Sequence, residues 1–143
     1  MMWTFVIPGK PVGKERAGRH TVVGPGGVST RSYTPQQTVV FENAVKLFAR
    51  QAGVQMMAGP VSVSVGITRV MPRSWSKARQ REAISVRYAT GKPDADNVLK
   101  AVMDSLNGIS YRDDAQVAKI GVVRLWGEVE QVTVTVGAIA PEA

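Results

Sequence analysis

Apolar residues in this chain recur with two periods, and the shorter period predicts strands. In Val61-Ser62-Val63-Ser64-Val65 every second residue is apolar, which is typical of a strand with one buried face, and apolar residues continue to Pro72. Runs rich in β-branched and aromatic residues indicate further strands. We therefore expect strands at residues 3–7, 61–72, 116–126 and 132–136, with a turn near residues 127–131 joining the last two.

The longer period predicts helices, most clearly at residues 97–106. Asp96 stands at the expected N-cap, and Asn107-Gly108 supplies the stop. The apolar side chains of this segment fall on one stripe, which is expected to face the core: Val98, Leu99, Val102, Met103 and Leu106.

A second helix is predicted at residues 34–52. Thr34 would be its N-cap, Pro35 its first helical residue and Gln37 the partner in a capping box. Its expected core stripe consists of Val40, Phe41, Ala44, Val45 and Phe48. The basic segment 74–84 is compatible with a third, shorter helix capped by Ser74 or Ser76.

Residues 8–27 are rich in glycine and proline and show no apolar period, so they are expected to form a loop. The predicted order is then strand, helix, strand, short helix, helix, strand, strand. This order predicts an α+β fold with a mixed or antiparallel sheet and two or three helices.

Length and composition restrict the class of protein. The chain has 143 residues, 44% of them apolar, which suits one domain over residues 1–143. Because no apolar run approaches the roughly 20 residues that span a bilayer, and the first residues do not resemble a signal peptide, no membrane association and a cytoplasmic location are expected. With no cysteine and a single histidine, any metal site must consist mostly of oxygen ligands.

The charge is divided unevenly along the chain. Residues 1–93 hold 14 Lys/Arg and 3 acids, a net +11, whereas residues 94–143 hold 4 Lys/Arg and 8 acids, a net −4. The positive excess would attract a polyanion such as nucleic acid, and all five aspartates lie between Asp94 and Asp114. A basic domain with an ordinary acidic loop remains the alternative.

Two groups of basic residues could contact DNA phosphates, because a flexible glycine-rich backbone can follow a phosphate chain and a basic helix can lie along one. The alternative for both groups is a solvated charged surface. The first group lies in and just after the predicted loop, and the second lies on the short helix: Lys10, Lys14, Arg16, Arg19 and Arg31, then Lys77, Arg79 and Arg81.

The aspartate spacing predicts a metal site. After Pro93 the chain should be extended, so the side chains of Asp94 and Asp96 would project to the same side. The pair Asp113-Asp114 follows the helix stop, and a turn could return one of its carboxylates to the helix start. Three carboxylates without His or Cys suit Mg²⁺ or Mn²⁺. Helix capping is the alternative role for Asp96.

Lys100 lies four residues from both Asp96 and Asp104, so it is expected on the same polar stripe of the helix as these carboxylates. An ordinary helix ion pair is its alternative role.

At these residues the chain resembles the RusA family of phage and prophage Holliday junction resolvases. The similarity rests on Lys92-Pro93-Asp94-Ala95-Asp96-Asn97-Val98-Leu99-Lys100, on Asp104 with Asn107-Gly108, and on Asp113-Asp114-Ala115-Gln116-Val117. Weaker support comes from Ile7-Pro8-Gly9-Lys10-Pro11 and Tyr33-Thr34-Pro35.

The resemblance implies a RusA-like fold and a hydrolase that cleaves phosphodiester bonds in four-way junctions. It implies Asp94, Asp96 and Asp114 as catalytic carboxylates that bind Mg²⁺ or Mn²⁺, and Lys100 as the essential lysine. It also implies a homodimer, a DNA-binding basic loop and a bacterial or phage origin. Glu15 and the long Gly24-Pro25-Gly26-Gly27 loop depart from the family pattern.

Two other functions compete with this interpretation. In a non-catalytic nucleic-acid binding module the aspartates would only cap helices and improve solubility. A different DxD metal enzyme, such as a nucleotide-sugar transferase, would need more room than 143 residues offer, and no glycine-rich phosphate loop follows a strand.

Overall fold

The computed structural model describes residues 1–14, 18–33 and 36–141, with six strands and three α-helices in those ranges. A 3₁₀ turn, Asp114–Gln116, precedes the fifth strand. The elements in chain order are β1 (Met2–Pro8), β2 (Gly18–Gly24), β3 (Gly27–Tyr33), α1 (Gln36–Gln51), β4 (Val61–Arg69), α2 (Lys77–Val86), α3 (Ala95–Ser105), β5 (Val117–Trp126) and β6 (Gln131–Ala138).

Four of the strands form a mixed sheet in the order β1-β6-β4-β5. Strand β6 pairs antiparallel with both β1 and β4, whereas β4 and β5 are parallel. A parallel pair needs a long crossover connection, and here the crossover contains α2 and α3. The predicted α+β class with a mixed sheet is confirmed.

The core lies between the sheet and the helices α1 and α3. The alternating residues Val61, Val63 and Val65 are buried, as the sequence predicts, and they pack with buried residues of β6, α1 and α3. The predicted α1 stripe is wrong at Val40, whose side chain is 57% exposed. Val40 precedes Phe41 by about 100° around the helix, which places it at the rim of the buried face.

The expected loop at residues 8–27 is wrong in its second half, because β2 and β3 form a separate antiparallel hairpin. Pro25 and Gly26 make its turn between the paired residues Gly24 and Gly27, and the φ of +109° at Gly27 suits glycine. Val23 and Val28, near the tip of the hairpin, are 78% and 68% exposed. Because neither face is buried there, the sequence shows no alternation of apolar and polar residues.

The helix starts agree with the sequence only in part. Ser76 caps α2 by accepting a hydrogen bond from the Arg79 backbone N–H, as expected for one of the two serines named. The expected N-cap at Asp96 is wrong: α3 begins at Ala95, and Asp94 is the N-cap residue. The predicted cap of α1 at residues 34–35 lies outside the described residues.

Within the described ranges, every helix falls short of the length and apolar character that crossing a membrane requires.

Candidate active site

The N-terminus of α3 presents Asp94 and Asp96. Asp94 has an extended backbone, and its side chain makes no capping hydrogen bond to the helix. Instead, Lys92 Nζ contacts the two carboxyl oxygens of Asp94 at 2.9 and 3.0 Å. Since Lys92 is largely exposed, this ion pair is screened and can exchange for another cation at little cost.

Asp96 is exposed in the first turn of α3. The extended chain that was expected to align Asp94 with Asp96 therefore ends at Asp94, because Ala95 is already helical. Both carboxylates remain near the positive end of the helix dipole, which stabilises their negative charge.

The Asp113-Asp114 pair belongs to the 3₁₀ turn, where the two carboxylates have different tasks. Asp113 accepts a hydrogen bond from the Ala115 backbone N–H at 2.9 Å, and Gln116 Oε1 completes the capping box by accepting from the Asp113 N–H. The Ala115 hydrogen bond, together with that to Asp114, lowers the pKa of Asp113. Asp113 thus serves as the cap of the turn, whereas the Asp114 carboxylate takes no part in the cap.

Gln116 holds this turn in place from the other side. Its Oε1 accepts from the Arg112 backbone N–H at 2.9 Å, and its Nε2 donates to the carbonyl oxygens of Met57 and Gly59, each at 3.0 Å. One side chain therefore fastens the turn to the segment before β4. Gln116 was not predicted to have a role, although a Gln three residues after an Asp is the signal of a capping box.

Asp114 lies beside Asp104 of α3. Partial burial, and then the neighbouring carboxylates of Asp113 and Asp104, raise the pKa of Asp114 above its usual value. Tyr111 packs next to this pair and donates a hydrogen bond to the Met103 carbonyl oxygen at 2.7 Å. Burial raises the pKa of Tyr111, and the charges of Asp114 and Asp104 add to the effect.

A part-buried lysine joins this cluster from the N-terminal segment. Lys14 Nζ lies 2.8 Å from the carboxylate of Glu42 on α1 and 3.4 Å from that of Asp104. Burial opposes the charged form, but the two ion pairs outweigh it and raise the pKa of Lys14. The Lys14 backbone N–H also donates to the Asn97 carbonyl oxygen at 2.9 Å, so the segment is docked on α3.

Lys14 is one of the residues predicted to contact DNA, whereas Glu42 was not predicted to have a role. The one feature of the sequence that singles out Glu42 is that acidic residues are scarce around it: residues 1–93 contain only three. Phosphate contact by Lys14 stays a prediction, but the structure gives the lysine two carboxylate partners within the protein.

Lys100 is exposed on α3, and within the described ranges it makes no ion pair. The alternative of a helix ion pair to Asp96 or Asp104 therefore has no support in this conformation. Its ammonium group is available to an external anion.

The acidic residues form two groups along one helix. Asp94 and Asp96 lie at its start, whereas Asp114 meets it at Asp104, which follows Asp96 by eight residues, or about 12 Å of helix. The Asp113-Asp114 turn thus meets α3 at Asp104, and the return of one of its carboxylates to the helix start stays a prediction. Among the described residues, no group of three Asp, Glu or His side chains is arranged so that it could hold a metal ion.

The remaining predicted DNA contacts lie on three elements. Lys10 is exposed after β1, and Lys77, Arg79 and Arg81 are exposed on α2. Arg19 and Arg31 lie on the hairpin strands β2 and β3, and Arg16 lies outside the described residues.

Comparison with known proteins identifies the family. The chain is 31% identical over 140 residues to an uncharacterized protein, YqaN, of Bacillus subtilis strain 168, and the match covers 95% of this chain and 96% of that protein. Residues 8–137 match the family described as endodeoxyribonuclease RusA, and this range includes all the carboxylates discussed above. The chain therefore belongs to the RusA family of endodeoxyribonucleases.

Proposed function

We propose that this protein is a divalent-metal-dependent endodeoxyribonuclease that resolves Holliday junctions by paired symmetric nicks. The observation that carries the proposal is the placement of Asp114: Asp113 and Gln116 form the cap, and the second carboxylate lies against Asp104 of α3 without a cation partner in the described part of the chain. Family membership supplies the reaction class.

The donor set fits Mg²⁺, with Mn²⁺ as a substitute. All available donors are carboxylate oxygens, and Mg²⁺ is commonly held by one or two carboxylates together with waters and phosphate oxygens. Asp94, Asp96 and Asp114 would hold the metal, with Asp104 beside Asp114. Because the three side chains do not converge in this conformation, the start of α3 and the Asp114 turn would have to close on one ion or hold one ion each. Burial, and then the neighbouring negative charge of Asp113 and Asp104, raise the pKa of Asp114, and a bound cation would offset that charge. When bound, the metal supplies an activated water and neutralises charge on the phosphate.

The two lysines near the carboxylates have separate roles in this proposal. Lys100 is the cation that contacts the scissile phosphate, because its side chain is exposed and without a carboxylate partner in the described part of the chain. Lys14 is a positioning residue that balances the charge of Glu42 and Asp104. A lysine acts on phosphate as a point charge and imposes little geometry.

The basic residues predicted to contact DNA, on the N-terminal segment, the hairpin and α2, would hold the DNA backbone without reading its sequence, because phosphates carry no sequence information. Two symmetric cuts require two sites related by a twofold axis, so we propose a homodimer as the active form.

The direct test is incubation of the protein with a synthetic four-way junction, with Mg²⁺ and with EDTA. We expect paired nicks at symmetric positions with Mg²⁺ and intact DNA with EDTA. A linear duplex of the same sequence and the Asp114→Asn variant serve as controls: the duplex should stay uncut by the wild type, and the variant should leave the junction uncut. Binding without cleavage under all metal conditions would identify a DNA-binding module and reject the proposed function.

A further inference from the structure

An aromatic pocket outside the carboxylate site lies at the β5 edge of the sheet. Trp75 and Trp126 meet edge to face, with ring centres 5.2 Å apart and planes at 71°. The Arg79 guanidinium lies 4.0 Å from the centre of the Trp75 ring. The pocket has a volume of about 280 Å³, and its lining includes Trp75, Arg79, Glu82, Val86, Tyr88 and Trp126.

The pocket is a surface feature and not part of the core. The helix α2, which forms one wall, has no buried residue. The Tyr88 side chain is 61% exposed although it is aromatic and lines the same pocket as two tryptophans. An exposed tyrosine grouped with two half-buried tryptophans in a concave site is typical of a binding surface.

The charge around the pocket favours nucleic acid as its occupant. Residues 69–92 contain seven Lys/Arg and one acid. Of these, Arg79 and the acid Glu82 line the pocket, and Arg69 lies 5.3 Å from the centre of the Trp126 ring. Aromatic faces combined with a basic surface are the means by which proteins bind single-stranded nucleic acid, since bases stack on the rings while cations hold the phosphates.

The pocket is held at a fixed place relative to the DxD residues. The Ala89 N–H donates to the Arg124 carbonyl oxygen at 2.9 Å, and the Trp126 N–H donates to the Arg87 carbonyl oxygen at 3.0 Å. Arg124 Nη1 in turn donates to the carbonyl oxygens of Gly91 and Pro93 at 2.6 and 3.2 Å. Asp94 follows Tyr88 by six positions, so their Cα atoms lie within about 22 Å, a distance of a few nucleotides.

We propose that the aromatic pocket binds an unpaired nucleobase of DNA by stacking on Tyr88 and Trp75. Bases within a duplex are stacked and paired, whereas bases at a strand exchange or in a single strand can reach such a pocket. Its use at the branch point of a junction rests on the proposed function, but base binding itself does not.

The first test measures base binding without catalysis, in EDTA, with the full chain. The probe is a single-stranded oligothymidylate, and its control is an oligonucleotide of equal length made of abasic sites. We expect tighter binding of the oligothymidylate, and Tyr88→Ala should reduce that affinity roughly tenfold, within the usual range for one stacked base. Tyr88→Phe should retain it. Ile84→Ala changes a similarly exposed residue of α2 that does not line the pocket, so it should bind as wild type.

Tryptophan fluorescence locates the bound base. Quenching by oligothymidylate should persist in full in Trp3→Phe and be clearly reduced in Trp75→Phe, which keeps a stacking ring but loses the indole. The remaining quenching in Trp75→Phe would come from Trp126, which lines the same pocket. Equal affinity for the abasic and thymidylate strands would overturn the proposal, because it would show phosphate contact alone. A changed oligomeric state in Tyr88→Ala, with unchanged thymidylate binding, would assign the pocket to a second copy of the chain and overturn it as well.

A junction with 2-aminopurine at the branch tests the location. Tyr88-dependent quenching of this base would support capture at the branch, and unchanged fluorescence in Tyr88→Ala would overturn that part. If thymidylate binding depends on Tyr88 but junctions are never cut with Mg²⁺, the pocket stands and the proposed function fails. The two failures are therefore distinguishable.

Discussion

The helices α2 and α3 lie in the same crossover connection between β4 and β5, yet they are built in opposite ways. The helix α3 buries residues such as Val98 and Val102 and presents carboxylates on its other side, whereas α2 buries none of its residues and is basic. Groups that must bind a metal need fixed positions, and packing fixes them. Groups that attract a long polyanion act at a distance and tolerate an exposed, loosely packed helix.

The largest effect is expected from replacing a carboxylate on the α3 side. Asp114→Asn should lower the cleavage rate on the order of a hundredfold or more, because it removes a proposed metal ligand without adding negative charge near DNA. Asp94→Asn and Asp96→Asn should behave alike. Asp113→Asn is the matched control, and its loss of cleavage rate should be smaller because Asp113 caps the turn. Cleavage rate and junction affinity should be measured on the same preparations. Equal losses of cleavage rate in Asp113→Asn and Asp114→Asn would reject the separate roles of the two residues.

A smaller loss of cleavage is expected from Lys100→Ala. Turnover should fall roughly ten- to hundredfold with little change in junction affinity or melting temperature, because the lysine is exposed and contacts phosphate chiefly in the transition state. Lys14→Ala is the comparison. It should lower the melting temperature, since Glu42 and Asp104 lose their part-buried partner. If Lys100→Ala has a lower melting temperature than wild type and cleaves at the normal rate, the role of Lys100 is structural.

The turn that carries Asp114 can be loosened from a distance. Gln116→Ala should lower the free energy of unfolding by about 1–3 kcal/mol, because the backbone groups of Met57 and Arg112 lose their hydrogen-bond partner. Cleavage should drop about tenfold through displacement of Asp114. Urea denaturation and single-turnover cleavage measure the two effects. Gln116→Glu keeps the acceptor but loses the donor, so it should fall between wild type and Gln116→Ala.

Removing the charge of Asp114 should also show how far that charge lowers the stability of the folded protein. In EDTA, Asp114→Asn should melt at a slightly higher temperature than wild type. Burial of the charge, and then repulsion from Asp113 and Asp104, raise the pKa of Asp114, and the neutral side chain removes both effects. Added Mg²⁺ should then stabilise wild type and not the variant. A lower melting temperature of the variant in EDTA would show that Asp114 stabilises the fold.

The smallest effect should come from the basic side. Changing Lys77 and Arg81 to Gln leaves the aromatic pocket intact, and it should weaken junction binding a few fold. The slope of log affinity against log salt should become shallower by roughly 0.7–0.9 for each phosphate that the protein no longer neutralises. Stability should not change, because α2 buries nothing. An unchanged slope would mean that these two residues are merely solvated.

Much of the architecture was predictable because it follows from local patterns. The alternation at Val61 to Val65, the stripe on α3 and the Asn107-Gly108 stop each reflect a periodicity that burial imposes on neighbouring residues. The hairpin of β2 and β3 escaped prediction because, at its exposed tip, it buries no alternating face. The start of α3 was misplaced because Asp94 and Asp96 are equally acceptable cap residues by sequence.

The amino-acid sequence alone establishes the chemical inventory: oxygen donors without thiol or a histidine cluster, a basic majority with all aspartates in one segment, and the motif that marks the RusA family. Which of these groups meet is settled by the fold. Glu42, Lys14 and Asp104 come from three distant segments, and Gln116 reaches the backbone of Met57 across the molecule. Such pairings depend on how the helices pack on the sheet, and no local period or spacing in the chain encodes them.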